Sequence, residues 1–272
     1  MHARTGLKDE YLGEKWFSCV KACLDKAKEL DMDAWVYDEN GWPSGFVGGK
    51  LLENHDFRAR FLEYKTGDYD KTAYAVFIED DVNGYVSVAN PVKGISEYHN
   101  VFLRVSPANT DILNPDVTDA FIKETHEKYY ERFKDSFGKE LVGFFTDEPQ
   151  YYRWSTPYTH MAEKYFSDRG EDIRDGLIWL FKDDPRGYKF RTEYYSELNR
   201  LYVENFYKKI YEWCKAHGCK LTGHSIEEGS LGGQMWGGGA VMPTYEYEDI
   251  PAMDWLGRFC GNDLAPRQIA SV

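Results

Sequence analysis

Three short apolar runs in the sequence are each followed by carboxylate side chains. The run 34–37 precedes Asp38 and Glu39, the run 141–145 precedes Asp147 and Glu148, and the run 220–223 precedes Glu227 and Glu228. Hydrolysis of a glycosidic bond requires one protonated and one ionised carboxyl group beside the scissile bond. The pattern therefore predicts a carboxylate-based glycoside hydrolase if the fold brings these acids together.

Glu148 is the first candidate for a catalytic carboxyl group. It closes an apolar strand, Asp147 disfavours a second negative charge beside it, and Pro149 restricts the chain that follows. The alternative is that Glu148 is a solvated loop acid, because acids of this kind mark functional sites only in some proteins.

Glu227 and Glu228 offer the second carboxyl group. One of them is expected to be the partner of Glu148, while the other faces solvent or binds a cation. The alternative is a pair of exposed acids on a glycine-containing loop, since Glu side chains are seldom fully buried.

Asp38 and Glu39 lie close to an aromatic residue in a turn-rich segment. Trp42 follows them within the polar sequence 38–45. An indole face can stack on the apolar face of a sugar ring and exclude water. The cluster is therefore expected to contribute to a sugar pocket, whereas the alternative is that Trp42 only packs against the protein.

Metal binding is another use for these acids, together with His2 and His224. The sequence has no HxH or HExxH spacing, which argues against a catalytic zinc site. Calcium takes oxygen ligands and is compatible with so many carboxylates, so no cofactor is certain and calcium stays as an alternative. A serine nucleophile is not indicated, because the chain contains no GxSxG motif.

Charge and hydropathy argue against two classes of partner. With 33 basic and 46 acidic residues, the 272-residue chain has a formal net charge of −13, which disfavours nucleic acid held by phosphate neutralisation. No run approaches the roughly 18 apolar residues of a membrane helix, and the N-terminal sequence lacks an apolar signal-peptide core. As written, the chain is expected to be cytoplasmic and away from membranes; a missing N-terminal segment would make it secreted or periplasmic.

The five cysteines match neither a zinc site nor a disulfide framework, because their number is odd and their spacing irregular. They are Cys19, Cys23, Cys214, Cys219 and Cys260. Reduced, packed thiols are therefore expected. Cys19 and Cys23 are four residues apart in an apolar helical stripe, so their expected role is core packing.

The elements that precede the acids alternate between helix and strand. Apolar residues recur at three- and four-residue intervals over 14–30, 114–133 and 190–216, and one of the apolar strands follows each predicted helix. This alternation indicates parallel β/α units. In a (β/α)8 TIM barrel the catalytic residues lie at the carboxyl ends of the strands, so the three acidic clusters are expected to converge.

Residues 57–105 depart from this pattern. Four β-rich runs separated by Gly, Asp and Asn predict an antiparallel insertion, whose last run either belongs to it or rejoins the barrel sheet. The glycine-rich segment 226–251 lacks the Lys-Ser/Thr ending of a phosphate loop, and a mobile active-site loop is the alternative.

Six segments of the sequence resemble one known group of enzymes. They are MHARTGL (1–7), WVYDENGWPSGFVGG (35–49), LNPDVTDAFIKETHEKYY (113–130), FFTDEPQY (144–151), LTGHSIEE (221–228) and LAPRQIASV (264–272). In this order they are similar to the bacterial α-L-rhamnosidases of glycoside hydrolase family 106 and their relatives. The second segment and TDEP are the most specific parts of the resemblance.

The resemblance implies a barrel scaffold and inverting hydrolysis of a terminal deoxy-sugar glycoside, with calcium helping to hold the sugar. By the same resemblance, Glu148 is a catalytic carboxylate acting as the acid, and Glu227 or Glu228 is its partner or base. The residues expected in or beside the sugar pocket are Asp38, Glu39, Trp42, Asp147, His224, His2 and Arg4.

Members of that family are much longer than this chain, and the strand count agrees with a partial barrel. Predicted barrel strands lie at 34–37, near 101–105 or 111–113, at 141–145, at 220–223 and near 253–256, about five or six where a closed barrel needs eight. The chain is therefore expected to be the central part of a catalytic barrel, carrying the insertion 57–105. Uncovered sheet edges would favour a homo-oligomer. The alternative function is a non-catalytic carbohydrate-binding protein or an inactive fragment of such an enzyme.

Overall fold

The computed structural model describes residues 1–4, 6–151, 155–255, 257 and 263–272. Over these residues the chain is a mixed α/β fold with a parallel sheet and a curled antiparallel sheet. The strands are β1 (Ala34–Tyr37), β2 (Arg58–Gly67), β3 (Ala75–Asp80), β4 (Gly84–Ser87), β5 (Tyr98–Thr110), β6 (Leu141–Asp147), β7 (Thr156–Tyr158), β8 (Lys220–His224) and β9 (Ile250–Pro251). The α-helices are α1 (Glu14–Glu29), α2 (Pro115–Phe121), α3 (Glu127–Phe133), α4 (His160–Ser167), α5 (Tyr188–Tyr202), α6 (Lys208–Ala216), α7 (Leu231–Gly237) and α8 (Leu264–Ala270).

The parallel sheet has the strand order β1-β6-β8-β9. Tyr37 at the end of β1 pairs with Phe145, and Asp147 at the end of β6 pairs with His224 at the end of β8. The carboxyl ends of these strands therefore meet at one edge of the sheet. This arrangement is the one predicted from the alternation of helices and apolar strands.

Residues 1–4 run alongside β1 on the side away from β6. The ammonium group of Met1 donates to the Trp35 carbonyl at 2.6 Å, and the Tyr37 N–H donates to the Met1 carbonyl at 2.9 Å. Ala3 forms a parallel bridge with Asn40. The beginning of the chain is thereby held next to the loop that follows β1.

The antiparallel sheet has the order β4-β3-β5-β2-β7 and contains the predicted insertion. The expectation that the last run of this region could rejoin the barrel sheet is not met. Val101 in β5 pairs with Tyr64 of β2 on one side and Ala75 of β3 on the other, both antiparallel. β5 pairs with β2 along most of its length and with β3 at 99–101, so it belongs to the antiparallel sheet and not to the parallel one.

A complete (β/α)8 barrel is not formed by the described residues, whose parallel sheet has four strands. The predicted strand near 253–256 is replaced by β9, which lies a few residues earlier at Ile250–Pro251. Leu256 lies outside the described residues. Besides β9, the parallel sheet contains the three predicted strands that precede the acids.

Two of the predicted helices contain a π-helical step. The region 114–133 begins with the Asn114 side chain accepting from the Asp116 N–H at 3.0 Å and forms α2, a π segment (Ile122–His126) and α3. The region 190–216 forms α5, a π segment (Val203–Tyr207) and α6. A π step adds a residue to the turn and rotates the helix that follows. Periodicity alone gave no sign of either step.

Helix α1 buries the predicted apolar stripe, including Trp16, Phe17, Val20, Leu24 and Ala27. The prediction that Cys19 and Cys23 pack in the core is wrong, because both residues are exposed. Cys214 and Cys219 are buried, as expected for packed thiols. Cys260 lies outside the described residues.

The hydrophobic core connects the two sheets. Val36, Phe144 and Leu221 of the parallel sheet belong to the same buried cluster as Leu62 and Phe77 of the antiparallel sheet. Within the described ranges, the helices are too short or too polar to cross a membrane. The antiparallel insertion and the parallel sheet therefore share one interior.

Candidate active site

A cavity of about 950 Å³ lies over the carboxyl ends of β1, β6 and β8. Most of the residues predicted from the sequence line it. They are Glu148, Glu227, Glu228, Trp42, Asp147, His224, His2 and Arg4. The fold thus brings acids from two of the three clusters together in one cavity.

Glu228 is a buried acid in this cavity. One carboxylate oxygen accepts from the Ser225 N–H and the other from the Asp254 N–H, both at 3.0 Å. Burial raises the pKa of Glu228 to about 7, although the two backbone N–H groups oppose the shift; the charges of Glu148 and Asp254 add to it. Glu228 can therefore hold a proton near neutral pH.

Glu227 differs from its neighbour in exposure and backbone conformation. Its side chain is exposed, whereas Glu228 is 5% exposed. Glu227 also has a φ of +55°, in the left-handed region that non-glycine residues rarely adopt. The left-handed turn at Glu227 precedes the buried Glu228, so the two predicted alternatives are not equivalent.

Glu148 also has a left-handed backbone, with a φ of +46°. Its N–H donates to the His224 carbonyl at 3.0 Å, which continues the pairing of β6 with β8 by one residue. Its Oε2 accepts from the Trp42 indole N–H at 2.6 Å. Such strained conformations persist where the surroundings over-determine them, often at functional sites.

His224 lies between the two acids at the end of β6. Its Nε2 is 3.3 Å from Oδ1 of Asp147, and its Nδ1 is 3.7 Å from Oε1 of Glu148. Burial lowers the pKa of His224, while the charges of Asp147 and Asp254 oppose this shift. The Tyr37 hydroxyl contacts the other oxygen of Asp147. Asp147 is therefore held from two sides.

The first acidic cluster lies beneath the cavity and not in its lining. Asp38 and Glu39 are both 0% exposed, although the sequence predicts that they line a sugar pocket. The reason is local: the chain after β1 turns back over these two side chains and covers them. A substrate in the cavity would therefore not touch them.

Asp38 and Glu39 instead hold the loop that covers them. The Asp38 carboxyl accepts from the Ser44 hydroxyl at 2.6 Å. Burial raises the pKa of Asp38 well above its usual range, against the opposing hydrogen bond from Ser44. The Glu39 carboxylate accepts backbone N–H groups of residues 40, 45, 46, 47 and 48. Such an arrangement fixes the path of the loop.

The aromatic wall of the cavity includes residues on both sides of the acids. Trp42 is 39% exposed and Trp255 is 38% exposed. On the other side, the His2 ring lies 3.6 Å from the Tyr37 ring between centroids, and the Arg4 guanidinium lies 5.6 Å from the same ring. His2 and Arg4 therefore lie in the same cavity as the acids, and their part in sugar binding stays a prediction.

Several residues of the cavity lining were not predicted from the sequence, among them Tyr37, Asp254 and Trp255. Tyr37 directly precedes the first acidic cluster, and its polar hydroxyl at a strand end was an available signal. Asp254 and Trp255 fall where a strand was predicted, which drew attention to their apolar neighbours. An adjacent acid and indole would have been the better signal.

Glu148, His224 and Asp254 form a candidate cation site. Each offers one ligand atom, and these atoms lie within 4.8 Å of one another. Two carboxylates and one imidazole suit a borderline ion such as zinc, whereas calcium prefers six to eight oxygen ligands. The calcium implied by the resemblance does not fit this donor set.

Comparison with known proteins gives a distant structural likeness. No protein family matches the chain, and no curated protein matches it. It is similar to the solved structure of a rhamnosidase from Novosphingobium sp. PP1Y, with 16% identity and a TM-score of 0.40. The match covers 63% of this chain and 18% of that one, less than a fifth of the rhamnosidase. A likeness of this size carries no argument about activity, so the family remains a prediction.

Proposed function

We propose that the chain hydrolyses a glycosidic bond, with Glu148 and Glu228 as the two carboxyl groups. The observation that carries this proposal is the contrast between two acids on one cavity. Glu228 is buried and has a raised pKa, whereas Glu148 accepts a hydrogen bond from an indole N–H. Glycosidases use two carboxyl groups whose surroundings give them opposite protonation states.

The roles follow from these surroundings. Glu228 holds a proton near neutral pH and acts as the general acid. Glu148 is the ionised partner, since donation from the Trp42 indole favours the carboxylate form. This assignment is the reverse of the one implied by the family resemblance, in which Glu148 is the acid.

The proposed reaction uses Glu228 as the proton donor and Glu148 as the proton acceptor. The proton of Glu228 passes to the glycosidic oxygen as the bond from C1 to that oxygen breaks. A water molecule attacks C1 and gives a proton to Glu148, and the sugar is released with inverted configuration. Inversion rests on the family resemblance. Detection of the first-formed anomer by NMR would test it.

A terminal deoxy-sugar is the proposed substrate class. The class rests on the resemblance, and the cavity is compatible with it because Trp42 and Trp255 present partly exposed indole rings near the acids. Indole faces stack on the apolar faces of sugar rings. Asp147, His224, His2 and Arg4 supply polar groups for the sugar hydroxyls.

Turnover of aryl glycosides tests the proposal. Glu148→Gln and Glu228→Gln should each lower kcat/KM by about a thousandfold, because each removes a proton-transfer group. Glu227→Gln should stay within about tenfold of wild type, because proton transfer is assigned to its neighbour. Glu53→Gln, an exposed acid outside the cavity, is the matched control. Wild-type turnover by both of the first two variants would contradict the proposal.

A non-catalytic carbohydrate-binding protein is the second candidate. It is favoured by the four-stranded parallel sheet of the described residues, since a catalytic group on a missing strand could not act. Calorimetric titration with rhamnose and other deoxy-sugars distinguishes the two functions. Sugar binding without hydrolysis of any of the aryl glycosides tested would support a carbohydrate-binding protein and exclude the hydrolase.

A further inference from the structure

The loop 40–48 connects the buried acids to the cavity. Two of its side chains reach strand β6 or the residue after it: Ser44 contacts Asp147, and Trp42 contacts Glu148. The same loop is tied from below by Asp38 and Glu39. One short segment therefore contacts the four acidic residues of the first two clusters: Asp38, Glu39 and Glu148 through their carboxyl groups, and Asp147 through its backbone.

Ser44 holds the backbone directly before Glu148. Its N–H donates to the Asp147 carbonyl at 2.8 Å, and its hydroxyl accepts from the Asp147 N–H at 2.8 Å. The Ser44 hydroxyl in turn donates to Oδ1 of Asp38, with an oxygen–oxygen distance of 2.6 Å. Because the Asp38 carboxyl accepts the hydrogen bond from the Ser44 hydroxyl, the hydroxyl oxygen stays oriented as an acceptor for the Asp147 N–H.

Glu148 needs this support because its backbone conformation is unfavourable. A φ of +46° is strained for a residue with a side chain. Two hydrogen bonds between Asp147 and Ser44, and the hydrogen bond from the Glu148 N–H to the His224 carbonyl, fix this turn. The Trp42 indole then fixes the carboxyl group at 2.6 Å.

We propose that Asp38 and Ser44 are positioning residues that act through loop 40–48 to set the orientation of the Glu148 carboxyl group. Neither touches the substrate. The inference rests on the proposed hydrolase function, for which it explains why two fully buried polar residues lie directly under the cavity.

Three variants test this relay, the series of hydrogen bonds from Asp38 through Ser44 to the Asp147 backbone. Ser44→Ala removes the hydroxyl that bridges Asp38 and Asp147, and it should lower kcat by about ten- to hundredfold with KM changed by less than about threefold. Asp38→Ala should behave in the same way. Asp38→Asn keeps an oxygen that accepts from Ser44, so it should restore kcat to within about threefold of wild type.

A measurement independent of activity keeps the inference testable if the hydrolase proposal fails. The indole ¹⁵N–¹H signal of Trp42, assigned by its loss in Trp42→Phe, reports the hydrogen bond to Glu148. It should shift in Ser44→Ala and Asp38→Ala, stay in place in Asp38→Asn, and move strongly in Glu148→Gln.

Ser106→Ala is the matched control, because Ser106 is also fully buried but lies in β5, where its hydroxyl accepts from backbone N–H groups of residues 108 and 109. It should leave both kcat and the Trp42 signal unchanged. A folded Ser44→Ala protein with an unmoved Trp42 signal would overturn the inference. If wild type has no turnover, the hydrolase proposal fails, while the Trp42 signal alone still decides whether the relay exists.

Discussion

Burial gives Glu228 a pKa near neutrality, which links its protonation state to pH in that range. It is 5% exposed and yet contributes to the lining of the cavity, so its protonation state affects both the fold and the proposed reaction. Because its pKa is raised, kcat/KM should depend on pH in opposite directions for the two roles that a carboxyl group can have in glycoside hydrolysis, general acid and general base.

The first prediction at this scale concerns rate. As the general acid, Glu228 must be protonated, so kcat/KM should fall as pH rises through about 7, the value to which its pKa is raised. A general base would give the opposite result, with kcat/KM falling below that pH. Initial rates from about pH 5 to about pH 9 decide between the roles. A fall confined to the acidic side would restore the assignment that the resemblance implied.

A second prediction for Glu228 concerns the pH dependence of the free energy of unfolding. The pKa of Glu228 rises from 4.5 to about 7 on folding, so the folded state binds more protons between these values. Stability should therefore decline as pH rises across this window, by up to about 3 kcal/mol, and then level off. Urea unfolding of wild type and Glu228→Gln at both ends of the window measures the difference. Parallel stability curves for the two proteins would show that burial of Glu228 has no such effect.

At the scale of elements, the three strands of the parallel sheet that precede the acids were predictable, whereas the sheet that β5 joins was not. The apolar runs ending before Asp38, Thr146 and His224 became β1, β6 and β8, because short buried runs bounded by polar residues have few alternatives. The position of β5 depends on which edges remain open in the folded protein. Local sequence does not carry that information.

The positions of the acids were likewise predictable only in part. The sequence placed Glu148 and Glu228 at strand ends, where the structure has them facing one cavity. It could not show that Asp38 and Glu39 would be covered, because their burial depends on the path of loop 40–48 over them. Nor could it place Asp254, whose backbone reaches Glu228 from 26 residues away.

The loop after β1 gives a prediction of its own. Glu39 accepts five backbone N–H groups, and Glu39→Gln would replace one accepting oxygen with an NH2 group facing those donors. We expect a loss of about 3 kcal/mol in the free energy of unfolding, measured by urea titration. The exposed Glu53→Gln variant should lose less than about 0.5 kcal/mol. Equal stability of the two variants would mean that the loop does not depend on Glu39.

At the scale of the whole molecule, the described parallel sheet ends at β9. The outer edge of β9 has no paired strand among the described residues, and Ile250 is 46% exposed there. Open edges that carry apolar side chains favour pairing with another chain. We therefore propose that copies of this protein associate through this edge.

Sedimentation velocity at several concentrations tests this proposal. Wild type should show a concentration-dependent oligomer, and Ile250→Lys should shift the population toward monomer because an edge lysine opposes strand pairing. Val82→Lys, which places the same charge on an exposed turn of the antiparallel sheet, is the control. A monomer at all concentrations in wild type would contradict the proposal.

The difference in exposure between Cys19 and Cys23 on one side and Cys214 and Cys219 on the other allows unfolding to be followed by thiol labelling. Cys19 and Cys23 lie exposed on α1, while Cys214 is buried in α6 and Cys219 is buried directly before β8. Burial raises the pKa of the Cys219 thiol to about 11, which further slows its reaction with alkylating reagents. Pulsed alkylation followed by peptide mass spectrometry would therefore mark the helix at once and the sheet only when it opens. The ratio of the two labels would measure how often the interior is exposed under native conditions.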